Sequence, residues 1–301
     1  MDEIQAFFAQ PANLLGSTIV AAIVSTAVAF LFRLTEMRHR LEAEYRYEQR
    51  KKLRHLVGKY QGRLLNAGNS LNYRLWNLYS NQEKGWLNVE GAATRNNYYY
   101  LSFVYRFLNF CTLLREFENE AIVIDSRIGT KTDLQISNLI SALRWCLTDV
   151  DLFKGINYDL SSARDHFFSD ELRLICDKHR TNEGEVPDYE EFCSSVISSS
   201  EPKAILVFFD GLSKEEEPLR WDRLVSFHLL LMGLLNLIGH SVHKTGQRKI
   251  TGVVSQFKNR LVFANLLSWL PRHEVPRSYV LRLTLAGHCA KIPNKQKQAD
   301  A

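Results

Sequence analysis

The sequence lacks the short motifs that are typical of nucleotide or metal chemistry. Residues 58–63 lack the Gly-Lys-Ser/Thr ending of a phosphate-binding loop, and residues 129–132 lack its spaced first glycine. A Gly-x-Ser-x-Gly nucleophile elbow, a His-Glu-x-x-His zinc motif and an EF-hand pattern are also missing. His240 and His243 are three positions apart, but without a nearby carboxylate they fit a polar helix end better than a metal site. We therefore expect no cofactor and no metal.

Cysteine is scarce and irregularly spaced. The 301 residues include five cysteines, an odd number, and no two of them have Cys-x-x-Cys spacing. This pattern indicates free thiols in a reducing compartment rather than a disulfide framework. A hydrophobic fraction of 46% with 24% charged residues also excludes a disordered chain and a transporter with many spans.

Charge is absent from residues 14–32, a run of 19 residues. As a helix this run would extend about 28 Å, close to the hydrocarbon thickness of a bilayer. A cleaved signal peptide is disfavoured because Asp2 and Glu3, rather than basic residues, precede the run and no small-residue cleavage site follows it. A buried core helix of this length without charge would be unusual. We therefore predict a transmembrane helix over 14–32.

Lysine and arginine are absent from residues 1–32, which makes the charge distribution asymmetric. Residues 33–63 hold ten basic and four acidic residues, hence +6, although the whole chain carries only +5. The positive-inside rule then predicts one pass through the inner (cytoplasmic) membrane, with the N-terminus outside and the C-terminal domain in the cytoplasm. We expect Arg33, Arg38 and Arg40 to contact lipid headgroups. Nucleic-acid binding by this basic segment is the less favoured alternative.

Small residues recur along the predicted span. Ser17, Ala21, Ser25 and Ala29 are spaced by four positions and would share one helix face. Small side chains let two helices approach closely in lipid. We expect this face to support a homo-oligomer.

The rest of the chain is predicted to be all-α. We assign residues 1–13 to a short outer N-terminus, 33–84 to a basic helical stalk that continues the transmembrane helix, 85–290 to a cytoplasmic helical bundle and 291–301 to a disordered tail. The stalk has an apolar stripe from Leu53 to Leu78 that must pack against a sister subunit or against the body. Residues 224–238 are interpreted as a buried core helix, with a second membrane span as the alternative.

Three local predictions concern the C-terminal third. We expect Asp222 to cap a helix over 223–242, and residues 248–270 to form one amphipathic helix ended by Pro271. Apolar residues alternate over 279–285 with a period of two, which predicts the one strand of the chain.

The pair Arg223 and His228 has four intervening residues. This spacing resembles the Arg-x(4–6)-His signature of HEPN-type ribonucleases. The resemblance covers six residues and implies a helical, metal-independent ribonuclease in which Arg and His of two protomers converge on the scissile phosphate. Of five matches to the spacing, this pair is the best placed, because it opens a long apolar helix. The alternative interpretation makes Arg223 a surface residue and His228 a hydrogen-bonded core histidine.

A single span, a basic stalk and a helical body together favour a membrane-anchored oligomeric sensor, scaffold or effector without catalytic activity. A protein partner on the cytoplasmic domain is an open alternative. The plan resembles, at the level of architecture, bacterial membrane proteins of which some act in phage defence. A membrane-tethered HEPN-like ribonuclease and a pore-forming effector are the alternatives.

Overall fold

The computed structural model describes residues 11–91, 93–125, 128–158, 165–181, 185–198 and 204–290, with side chains from residue 19 onward. These residues form ten α-helices and no strand, which confirms the all-α prediction for the described part of the chain. The helices are α1 (Pro11–Ser80), α2 (Tyr98–Ala121), α3 (Lys131–Thr148), α4 (Ser169–Lys178), α5 (Tyr189–Ser198), α6 (Ala204–Phe209), α7 (Pro218–Ile238), α8 (Gln247–Val254), α9 (Arg260–Trp269) and α10 (Arg277–Cys289). The tail from residue 291 lies outside the described residues.

The chain divides into two compact units, residues 1–52 and residues 53–301. In the first unit the described structure is the N-terminal part of α1, and its side chains from Ile19 to Phe32 are exposed. The second unit has its own hydrophobic core, to which α1 contributes the stripe from Leu53 to Leu78. Within this unit the stripe is therefore buried against the helical body.

Helix α1 contributes to the core of the second unit through a close contact at Gly68. A Cβ atom placed there would lie 3.0 Å from Leu235 Cδ2 and 3.3 Å from both Leu231 Cδ1 and Phe110 Cε2. The absence of a side chain thus lets leucines of α7 and a phenylalanine of α2 pack directly against the α1 backbone. A larger residue at position 68 would push these helices apart.

Helix α7 is the central helix of the second unit. Seventeen of its 21 residues are buried, including every residue from Arg220 to Leu235. α7 and the α1 segment from Ile19 are both long and apolar enough to cross a membrane, yet the apolar window of α7 is 89% buried inside the protein whereas that of α1 is 0% buried. This burial matches the interpretation of residues 224–238 as a core helix.

The predicted strand over 279–285 is wrong. These residues lie in α10, where Tyr279, Leu283 and Ala286 form a buried stripe at helical spacing. Leu281 and Leu285 are 64% and 60% exposed on another face of the same helix. Buried Tyr279 and Leu283 alternate in the sequence with exposed Leu281 and Leu285, and this alternation produced the apparent period of two.

The single helix predicted over 248–270 is also wrong, because α8 and α9 are separate. The chain between them turns at Lys258 and Asn259, whose backbone N–H groups donate to the two carboxylate oxygens of Asp222 at 2.7 and 2.9 Å. Asp222 therefore does not cap its own helix, which begins earlier, at Pro218. Proline at the first helical position starts α7 because it has no N–H that would need a partner.

Candidate functional site

The apolar segment of α1 exposes its side chains around the whole helix. The consecutive residues Phe30, Leu31 and Phe32 are 61%, 61% and 71% exposed, and their side chains point about 100° apart around the helix. The polar members of the segment are satisfied internally: the hydroxyls of Ser25 and Thr26 donate to the carbonyl of Ala22 at 3.0 and 2.7 Å. From Ile19 to Phe32, where side chains are described, the segment therefore presents an apolar surface without unpaired hydroxyl groups.

The small-residue face and the basic residues both belong to this helix. Ala21, Ser25 and Ala29 are exposed, whereas the side chain of Ser17 lies outside the described part. Arg33, Arg38 and Arg40 are exposed directly after the apolar segment. Arg40 makes a surface ion pair with Glu44 at 3.8 Å, which leaves its guanidinium largely in solvent.

Arg223 is completely buried and bonds to the backbone. Its Nη1 donates to the carbonyls of Cys146 and Asp149 at 2.6 and 2.9 Å, and its Nε donates to the carbonyl of Asp165 at 2.8 Å. Cys146 lies in the last turn of α3, where carbonyl groups lack helical partners and the helix dipole favours a cation. Arg223 therefore caps the C-terminal end of α3, and its expected surface position is wrong.

Arg220 has the same role one turn earlier in α7, and the sequence analysis did not single it out. Its Nη1 donates to the carbonyls of Val207, Phe208 and Asp210 at 2.9 to 3.0 Å, at the C-terminal end of α6. Its Nη2 lies 2.7 Å from Glu217 Oε1. Two arginines three positions apart thus tie α7 to the ends of two other helices.

His228 is completely buried in a separate network. Its Nε2 lies 2.7 Å from Asn72 Oδ1, and its Nδ1 lies 3.2 Å from the hydroxyl of Tyr79. These contacts fit a neutral ring that donates to the amide oxygen of Asn72 and accepts from Tyr79. Burial lowers the pKa of His228 to about 3, so the imidazole is uncharged near neutral pH.

The structure does not bring Arg223 and His228 together. Residues five positions apart in an α-helix point about 140° away from each other. Arg223 faces α3 and the ring of Phe153, with 4.5 Å between the guanidinium carbon and the ring centre, whereas His228 faces α1. Both side chains are 0% exposed. Within this arrangement each residue holds helices together, and the catalytic assignment stays a prediction.

Asp222 is a further buried ionisable group on α7. Its carboxylate accepts the backbone N–H groups of Lys258 and Asn259, and its side chain is 0% exposed. Burial raises the pKa of Asp222 to about 7, although both hydrogen bonds favour the charged form. Asp222 thus holds the turn between α8 and α9, whereas the adjacent Arg223 holds the C-terminal end of α3.

Among the described residues no group of three or more His, Cys, Asp and Glu side chains could hold a metal ion. All five cysteines are free; Cys289 is exposed and the other four are buried. Comparison of the chain with protein families, curated proteins and solved structures found no match.

Proposed function

We propose that this protein is a single-pass, membrane-anchored helical scaffold or sensor. Its apolar segment spans the inner membrane, its second unit lies in the cytoplasm, and copies associate through the membrane helix. The observation that carries the proposal is the all-round exposure of the apolar side chains from Ile19 to Phe32.

This exposure favours lipid as the surrounding medium. Removing a Val, Ile or Phe side chain from water contributes about 1.5–3 kcal/mol, and the segment holds eight exposed large apolar side chains. A protein partner would cover one side of such a helix, whereas lipid covers all sides. The backbone of α1 is hydrogen-bonded within the helix, as a span requires.

The charge distribution supports the orientation. The segment before the span carries no basic residue, and the basic segment 33–63 follows it at once. Arg33, Arg38 and Arg40 are exposed where anionic headgroups would lie, and each such contact contributes about 1 kcal/mol.

Self-association is supported by two uncovered features of α1. Ala21, Ser25 and Ala29 form a narrow face on which a second helix could pack closely. Beyond the span, the apolar side chains of Met37, Leu41 and Tyr45 remain 50–59% exposed. At 100° per residue the centres of these two faces point about 160° apart, so a second copy that packs in parallel on the small-residue face leaves the Met37, Leu41 and Tyr45 stripe for another contact.

The surroundings of Arg223 and His228, the two catalytic candidates, support a role without catalysis. Arg223 and His228 are buried, and both bond to groups of the protein itself. Sensing or scaffolding requires the anchor and the surface of the second unit rather than a reactive cleft.

Membrane fractionation tests the anchor. We expect the full chain to stay in the membrane pellet after an alkaline carbonate wash. Ile23→Arg combined with Val24→Arg should release it, since two charges at a helix centre cost about 5–7 kcal/mol. Tyr45→Arg with Tyr47→Arg is the matched control, because it adds the same charge at exposed positions of the same helix. Extraction of the wild-type chain by carbonate would overturn the proposal.

A further inference from the structure

An exposed group of aromatic and arginine side chains lies where α1 and the start of α2 meet within the second unit. We call it the Arg74 patch; it comprises Arg74, Trp86, Tyr98, Tyr99 and Arg106. Tyr98 and Trp86 are 56% and 41% exposed, which is high for large aromatic rings. A single exposed ring is ordinary, whereas a contiguous exposed group of rings is a feature of binding sites.

The aromatic rings and Arg74 form a continuous layer. The guanidinium carbon of Arg74 lies 4.6 Å from the ring centre of Tyr99 and 5.9 Å from that of Tyr98. Tyr99 in turn lies 4.6 Å from the ring of Trp86. Flat, partly exposed π surfaces beside a cation can stack a planar ligand.

Neither arginine of the patch has a carboxylate partner among the described residues. Arg106 donates to Ser70 Oγ and to the carbonyl of Ser102, each at 2.9 Å, and no ion pair of the described chain includes Arg74 or Arg106. Other half-buried arginines of the same unit are neutralised by acids: Arg144 lies 2.8 Å from Glu118 Oε2, and Arg115 lies 3.4 Å from Asp177. The patch therefore retains positive charge and unused N–H donors.

We propose that the Arg74 patch binds a nucleoside phosphate. The base would stack on the exposed rings of Tyr98 and Trp86, and the phosphate would accept hydrogen bonds from Arg74 and Arg106. The same chemistry is offered by a free nucleotide and by a nucleotide of single-stranded RNA. The patch lies wholly in the second unit, so this inference goes beyond the membrane anchor and does not depend on it.

The electrostatics of Tyr98 agree with this assignment. Burial would raise the pKa of Tyr98, but hydrogen bonds from Arg106 and Arg74 hold it below its ordinary value. The guanidinium carbon of Arg74 lies 5.9 Å from the centre of this exposed ring, so a phosphate beside Tyr98 would meet a cation. An anionic ligand there would gain charge-assisted hydrogen bonds without displacing a carboxylate.

A binding experiment tests the patch with two probes, adenosine triphosphate and a fluorescein-labelled ten-nucleotide oligoadenylate RNA. The full chain is placed in nanodiscs of uncharged lipid, so that anionic headgroups do not compete. We expect at least one probe to bind and to quench tryptophan fluorescence. Trp86→Phe should remove the quench, whereas Trp145→Phe should retain it. Trp145 is the matched control because it is 39% exposed and stacked by Arg144, whose charge Glu118 neutralises.

Affinity measurements distinguish specific binding at the Arg74 patch from nonspecific attraction to positive charge. Arg74→Gln should weaken binding at least about tenfold, since it removes a charge-assisted hydrogen bond. Arg248→Gln, at an exposed position in α8, removes the same charge and should change affinity less than about twofold. Tyr98→Ala should weaken binding about fivefold because it removes a stacking ring, and it is safe for folding because Tyr98 is 56% exposed. Circular dichroism checks that each variant keeps its helices, and Tyr98→Ala decides the question if Arg74→Gln does not fold.

The two probes also distinguish the sources of the ligand. If both probes bind with equal affinity, a free nucleotide is a sufficient ligand. If only the RNA binds, the ligand is single-stranded RNA. Absence of binding for both probes would overturn the proposal. Equal losses of affinity in Arg74→Gln and Arg248→Gln would also overturn the proposal, because the charge attraction would then be nonspecific. None of these outcomes bears on carbonate extraction, which tests the anchor separately.

Discussion

Arg223 donates a hydrogen bond from Nη1 to the backbone carbonyl of Cys146 at 2.6 Å, which ties the central helix α7 to the last turn of α3. The guanidinium is buried, and its hydrogen bonds go to the backbone carbonyls of Cys146, Asp149 and Asp165 rather than to a carboxylate. A buried cation is tolerated here because helix C-terminal carbonyls carry partial negative charge. This contact makes a residue with a catalytic sequence signature part of the frame of the helical unit.

Removal of this cap should destabilise the protein. We expect Arg223→Met to lower the free energy of unfolding by about 3 kcal/mol, because three buried carbonyls lose their charged donor. Arg248→Met, at an exposed position, should change it by less than about 0.5 kcal/mol. Urea denaturation of both variants in detergent measures the difference. Equal stability of the two variants would show that Arg223 is not a structural cap.

His228 and Asp222 should give opposite pH dependences to stability. The pKa of His228 falls from 6.5 to about 3 on folding, so its contribution is fully present above pH 6.5 and is lost as pH decreases toward 3. The pKa of Asp222 rises from 3.8 to about 7, so its contribution is fully present below pH 3.8 and is lost as pH rises toward 7. Between pH 4 and 6 the two slopes cancel, at about 1.4 kcal/mol per pH unit each.

Single substitutions should uncover these slopes. Relative to the wild type, Asp222→Asn should become more stable by about 1.4 kcal/mol for each pH unit between 4 and 6, because the His228 dependence remains. His228→Gln should show the reverse slope. Denaturation midpoints at pH 4, 5 and 6 provide the measurement. Parallel curves for the three proteins would contradict the burial of these two groups.

The nuclease alternative predicts a different result for His228. We expect total RNA to remain intact when the wild-type chain is expressed, and equally intact with His228→Ala, because the imidazole bonds to Asn72 and Tyr79 inside the core. Gel analysis of cellular RNA measures this. RNA degradation by the wild type that disappears in His228→Ala, at equal protein level, would support a HEPN-like ribonuclease instead.

The small-residue face should control the oligomeric state. Ala21→Leu with Ser25→Leu should shift the protein to smaller species in detergent, because larger side chains keep two helices apart. Ile19→Leu with Ile23→Leu alters the opposite face and should leave the size unchanged. Size-exclusion chromatography with light scattering gives the mass. An unaltered mass in the first variant would place the interface elsewhere.

The long elements were predictable because their signals extend over many residues. The uncharged run 14–32 and the stripe from Leu53 to Leu78 indicated one long helix, and α1 does run from Pro11 to Ser80. The repeated leucines of 224–238 likewise indicated a core helix. Periodicity is reliable at this length because packing and helical spacing agree over several turns.

The details that depend on tertiary contacts were not predictable. Asp222 resembled an N-cap, yet its partners are N–H groups 36 and 37 positions away. Arg220 was not predicted as a helix cap because the carbonyls that it binds carry no sequence signal. Arg74 and Tyr98 are 24 positions apart and meet only because α1 and α2 pack side by side. Sequence spacing cannot indicate such encounters.

The topology of the chain is tested most directly at Cys289, the exposed thiol at the end of α10. The other cysteines are buried, and burial raises the pKa of Cys111, Cys146 and Cys176, which makes these thiols unreactive. A membrane-impermeant maleimide should therefore label the chain in opened cells but not in intact spheroplasts, and Cys289→Ser should abolish the labelling. Labelling of Cys289 in intact spheroplasts, or recovery of the protein in the soluble fraction, would contradict a cytoplasmic domain anchored by α1.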